Sequence, residues 1–211
     1  MPKILAAGAL AALLTLASAA RVHAQTPPDE LVREVSADII ETAKNDKEIQ
    51  AGNPTRILEI VDEKVMPRLN FEVITRSAVG PQWRSATPEQ RQRLQTEFKT
   101  LLVRVYAGAL KQARDQTVAV TKTQAVPGSS QVVVQSEVRG GSTPEPVRID
   151  YRLDKEGDTW KVIDVNVGGI WLVTSYRSQF AQELANGGID KLIATLAERN
   201  KAVAPAAPTK S

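Results

Sequence analysis

A chain that makes or breaks bonds must bring together a nucleophile, an acid–base group or a metal, and few residues here can do so. The 211 residues contain no cysteine and a single histidine. That histidine, His23, falls in a leader-like segment, so the rest of the chain has neither thiol nor imidazole. A Ser-His-Asp triad, a Cys-His pair and a zinc site built on Cys or His are therefore excluded from it. Serines and threonines are plentiful, but no G-x-S-x-G elbow or S-x-x-K pattern surrounds any of them. Carboxylate pairs such as Asp62-Glu63 read as part of a solvated helix face. An enzyme would need a buried acid with a shifted pKa, such as Asp164; the preferred reading of that residue is structural, tying a strand to a helix end. Gly168-Gly169 follows a strand and precedes a helix, where backbone N–H groups can face an anion. The alternative there is flexible backbone at a turn. No catalytic residue, metal site or cofactor emerges.

The charge balance points the same way. Lys+Arg total 27 against 24 Asp+Glu, a net charge of +3, and Lys3 and Arg21 of the leader supply two of those charges. That is too little for a nucleic-acid footprint. At 42% hydrophobic residues the chain reads as a soluble globular protein of one or two domains.

The elements that would position a site begin after residue 24. Lys3, the apolar stretch 4–16 and Val22-His23-Ala24 have the form of a secretory signal cleaved before Gln25. The stretch is short for a membrane span, and no cysteine follows it to carry a lipid. An exported, cysteine-free chain suits a bacterial periplasm. From 28 to 114 the apolar period is helical. Leu31, Val35 and Ile39 recur at four, Asn53-Pro54 and Asn70 offer caps, and Gly80 is a stop. Thr87-Pro88-Glu89-Gln90 is a capping box opening one long helix to about residue 114. From 117 to 167 the period falls to two, with turns at Pro127-Gly128, Gly140-Gly141 and Gly157. Val147, Ile149, Tyr151 and Leu153 share one face; Arg148, Asp150 and Arg152 share the other. Leu172, Tyr176, Phe180 and Leu184 return to a helical spacing that continues to about residue 200.

The expected architecture is α+β: a four-stranded antiparallel sheet covered on one face by helices. It forms one domain over 25–200, between the leader at 1–24 and a disordered tail at 201–211. Trp83, Tyr106, Trp171 and Tyr176 sit where they either fill a core or line a cavity, and periodicity does not separate the two.

Several segments in order carry a family likeness. They are Met66-Pro67-x-x-Asn70-Phe71-Glu72, Val79-Gly80-x-x-Trp83-Arg84-x-Ala86-Thr87-Pro88-Glu89-Gln90 and Phe98-x-x-Leu101-Leu102-x-x-x-Tyr106. Near the end come Trp160-Lys161-Val162-x-Asp164-Val165-x-Val167 and Gly169-Ile170-Trp171-Leu172-Val173-x-x-Tyr176-Arg177-x-x-Phe180. Together, over roughly 28–200, they resemble the MlaC or toluene-tolerance family, the periplasmic phospholipid-binding component of the maintenance-of-lipid-asymmetry pathway. Asn70 stands where an acid is common in that family, and Gly168 where a Glu is common. The resemblance implies a nuclear-transport-factor-like fold enclosing acyl chains, and a carrier rather than an enzyme, with lipid as cargo and no cofactor. It implies a glycerophospholipid ligand and two partners: an inner-membrane lipid ABC transporter with its substrate-binding ring, and an outer-membrane lipoprotein–porin complex.

On that basis the expected pocket wall is Val147, Ile149, Tyr151, Val165 and Val167 from the sheet. The long helix adds Phe98, Leu102, Val105, Tyr106 and Ala109. The last helix adds Trp171, Leu172 and Tyr176, and Trp83 guards an edge. A carrier of another lipid, such as a hopanoid, and a ligand-free periplasmic interaction module remain the alternatives.

Overall fold

The computed structural model describes residues 26–141 and 145–201; the leader and the tail beyond Lys201 lie outside them. Helix starts are set locally by side chains that satisfy free N–H groups. Helix α1 (Pro28–Asn45) has Pro at its start, with Asp29 and Glu30 in its first turn and Lys44 in its last, as the helix dipole favours. Asp46 caps α2 (Lys47–Ala51), and Asn53 caps α3 (Pro54–Ile60) through the N–H groups of Thr55 and Arg56. A π turn, Val61–Val65, and a 3-10 turn, Met66–Arg68, lead to Leu69, which bridges to Val162. Asn70 caps α4 (Phe71–Val79) by accepting the Val73 N–H, and Gly80, at φ 76°, ends it. The expected capping box opens α5 (Pro88–Gln112): the Gln90 N–H donates to Thr87 Oγ1 at 3.2 Å, and the Thr87 N–H donates to Gln90 Oε1 at 3.0 Å.

The sheet contains β1 (Gln116–Ala125), β2 (Val132–Gly140), β3 (Val147–Glu156), β4 (Thr159–Val167) and β5 (Ile170–Trp171), in sequence order and antiparallel. There is thus one more strand than the four expected, because Gly168-Gly169 folds Ile170 back onto Val167. Two residues are too few to show a period. Helix α6 (Leu172–Lys201) follows at once and breaks direction at Gly187-Gly188, where Gly188 takes φ 67°.

Two irregularities decide which side chains share a face. The β1–β2 register shifts between Val120 and Lys122, and the β3–β4 register between Arg152 and Leu153. Across the β3–β4 pair, Leu153 opposes Val162 while Tyr151 opposes Val165. A strict alternation would put Val162 and Val165 on opposite faces. The bulge at Ile163 puts both on the same one.

Three apolar clusters result. The largest joins α4, α5 and α6 around Phe98, whose ring lies 5.8 Å from Phe71, 4.9 Å from Tyr176 and 5.1 Å from Phe180. A second packs Val103 and Ala113 against Ala43, Ile49, Ile57 and Ile60. The third lies between α1 and the sheet, with Leu31 and Val32 against Val134, Leu153 and Val162. Helix α5 therefore serves two clusters along its length and is not the element that covers the sheet.

Candidate functional site

Helix α1 covers the sheet incompletely. Between them lies a cavity of about 310 Å³, walled by α1, the sheet and two flanking segments. One side of α1 contributes Leu31, Val32, Val35, Ser36, Ile39 and Ile40. The inner sheet face contributes Val118 and Val138, Ile149 and Tyr151, then Val162 and Val165, the pair aligned by the β4 bulge. Val65, Arg68 and Leu69 close one flank, and Ala113 and Gln116 another. The α1 side chains recur at three and four and those of the sheet at two, so both elements present their apolar faces to the same space.

Polar groups in this wall are few. The Tyr151 hydroxyl lies near the hydroxyls of Ser36 on α1 and Ser136 on β2, and burial raises its pKa. Ser136 also donates to the Ile149 carbonyl at 2.8 Å. Arg68 is the one charged residue lining the cavity, and its side chain is exposed.

The opposite sheet face is polar. Arg148 pairs with Asp150 at 2.9 Å, and the Arg152 guanidinium lies 4.4 Å from the Trp171 ring centroid. On this face Asp164 Oδ1 accepts the N–H of Val165 at 2.9 Å and that of Val173, in the first turn of α6, at 3.1 Å. Burial raises its pKa, opposed by those two N–H groups and by Arg152. The carboxylate is engaged in tying β4 to α6. Nor does Gly168-Gly169 form an anion nest. It is a two-residue turn with φ of 59° and 94°. The Gly168 N–H goes to the Arg148 carbonyl and the Gly169 N–H to Asn166 Oδ1. Among the described residues there is no group of three or more His, Asp or Glu arranged to hold a metal ion, and no helix long and apolar enough to cross a membrane.

The family model of the MlaC protein matches residues 33–198. This chain belongs to the MlaC family.

Among MlaC relatives, it is 31% identical over 170 residues to the toluene tolerance protein ttg2D of Pseudomonas putida, covering 80% of this chain and 78% of that protein. It is 21% identical over 172 residues to the intermembrane phospholipid transport system binding protein MlaC of Haemophilus influenzae, covering 81% and 80%. A solved phospholipid-binding protein from Ralstonia solanacearum, in complex with a phospholipid, is 40% identical. It superposes with a TM-score of 0.78 over 84% of this chain and 98% of its own.

Within this MlaC fold the sequence-derived wall residues divide. Ile149, Tyr151 and Val165 line the cavity. Val147 and Val167 are half-buried on the same sheet face but outside it. Phe98, Tyr176 and Trp83 are packed solidly in the α4–α5–α6 cluster, with Leu102, Val105 and Leu172 at its edge. Tyr106 is half-buried near Tyr176, whose hydroxyl is pushed up to about 12 by burial and then by Tyr106. Ala109 is exposed, and Trp171 lies on the opposite sheet face under Arg152. The helix at the cavity is α1. Its Leu31-Val35-Ile39 stripe was visible in the sequence, but nothing in that stripe says which sheet or helix it meets.

Proposed function

We propose that this chain is a periplasmic carrier that holds the acyl chains of a glycerophospholipid between α1 and the sheet. It moves the lipid between an inner-membrane transporter and an outer-membrane lipoprotein–porin complex, and so helps maintain outer-membrane asymmetry. The observation carrying this reading is the cavity of about 310 Å³, walled by aliphatic side chains with one charge at its edge. The phospholipid in the Ralstonia relative, at 40% identity, supports it.

The energetics require such a device. Moving a methylene out of water is worth about 0.8 kcal/mol, so some thirty methylenes hold a lipid in its membrane by roughly 20 kcal/mol. An enclosed apolar space removes most of that barrier without any chemistry. Size sets a further requirement. A cavity of about 150 Å³ accepts benzene, so one of twice that volume takes on the order of a dozen carbons. Two acyl chains need more, so α1 moves away from the sheet as they enter.

Native mass spectrometry of the mature protein, purified from periplasm without detergent, tests the reading. The expected result is a peak heavier by one or more phospholipid masses. A hopanoid mass would change the cargo. A lipid-free mass that persists after incubation with phospholipid vesicles would replace the carrier by a ligand-free interaction module.

A further inference from the structure

The cavity wall carries a single charge, and its surroundings make that charge available. Arg68 closes the 3-10 turn Met66–Arg68, next to Leu69, which is pinned to the sheet by its bridge to Val162. The two basic neighbours near this turn are already engaged. Lys64 Nζ lies 2.6 Å from Asp38 Oδ1, and Lys161 Nζ donates to the Pro67 carbonyl at 2.6 Å. Arg68 has no hydrogen-bond or ion-pair partner among the described residues, although it lines the cavity and reaches solvent. The other polar side chains of the wall, Ser36, Tyr151 and Gln116, are uncharged. A polar group at the mouth therefore finds one unspent cation.

We infer that Arg68 is the headgroup-positioning residue of the cavity, its guanidinium engaging the phosphodiester of the lipid whose chains lie inside. This rests on the carrier reading above. The chemistry fits: a guanidinium offers paired N–H donors to two phosphate oxygens, and such charge-assisted bonds are stronger than neutral ones. The contact is to the phosphate shared by all glycerophospholipids, so it sets the depth and orientation of the lipid and selects phosphate-bearing lipids over neutral ones. It does not choose among headgroup alcohols.

The test compares two ligands with the same acyl chains, a phosphatidylglycerol and a diacylglycerol, on delipidated protein. Arg68→Gln and Arg68→Glu are measured beside wild type, with Arg68→Lys as the charge-retaining variant. Arg68→Gln is expected to weaken phosphatidylglycerol binding about tenfold and Arg68→Glu more, with Arg68→Lys in between and diacylglycerol binding unchanged in all. Equal phosphatidylglycerol affinity in wild type and Arg68→Gln overturns the assignment and leaves the carrier standing, as does an equal loss for both lipids. If wild type binds neither lipid, the carrier reading falls and this one with it. Arg68-dependent binding of inorganic phosphate to the lipid-free protein would replace the lipid phosphate by a free anion site.

Discussion

At Asp164, burial raises the carboxyl pKa while the N–H groups of Val173 and Val165 and the Arg152 charge lower it, and burial is the larger effect. A raised folded-state pKa means that the folded protein binds this proton more tightly than the unfolded chain. Asp164 thus opposes folding when ionised, and the opposition fades as pH falls through its folded pKa towards the ordinary carboxylate value. Asp164→Asn keeps an oxygen for the same N–H groups. It should unfold at least as high as wild type at about pH 7, with any advantage vanishing by about pH 4; a clear loss at neutrality would show that the ionised form is required. Asp164→Ala removes the cap and should cost about 1 kcal/mol in chemical denaturation. At the cavity, a carboxylate in place of Val35 or Ile149 puts a charge among aliphatic side chains and disfavours acyl chains there. Val35→Glu and Ile149→Glu should lose lipid in native mass spectra while far-ultraviolet circular dichroism stays close to wild type. Tyr106→Gln, away from the cavity, should retain it. Lipid surviving at both wall variants would place the acyl chains elsewhere.

Among the elements, α5 and α6 show where a periodic stripe misleads. Phe98 recurs at the right interval to face a sheet, yet it is 1% exposed and enclosed by the rings of Phe71, Tyr176 and Phe180. Phe98→Ala should therefore destabilise by about 3–5 kcal/mol, seen as a lower urea midpoint. The cavity proper contains no Phe98 atom, so lipid per folded molecule should be unchanged. Caps were legible because each depends on two or three adjacent residues: Asn53, Asn70, Gly80 and Thr87 all act where the sequence places them. The β4 bulge was not legible, since it depends on how β3 pairs beside it. If α1 parts from the sheet to admit chains, amide exchange in α1 should differ between lipid-loaded and delipidated protein, while α5 exchange stays the same. Equal protection of α1 in both states would mean that the lipid enters without moving it.

For the whole molecule, a ligand held only by the folded state raises stability in proportion to the logarithm of its concentration over its dissociation constant. Delipidated protein should unfold several degrees lower than loaded protein, and phospholipid should restore the difference; identical midpoints would mean that the cavity is not where folding and lipid are linked. The sequence by itself determined the α+β class, the helix starts, the polar and apolar faces of β3 and the lack of thiol and imidazole after the leader. Those depend on residue type and short spacing, and they also carried the family likeness. The tertiary structure alone decided which apolar faces meet tightly and which leave a gap. Phe98 and Ile149 are both apolar residues at regular spacing; one fills a core and the other borders a cavity, because aromatic rings from α4 and α6 close over the first while α1 stands off the sheet at the second. That difference lies in the relative placement of segments far apart in the chain, to which a periodic pattern is blind.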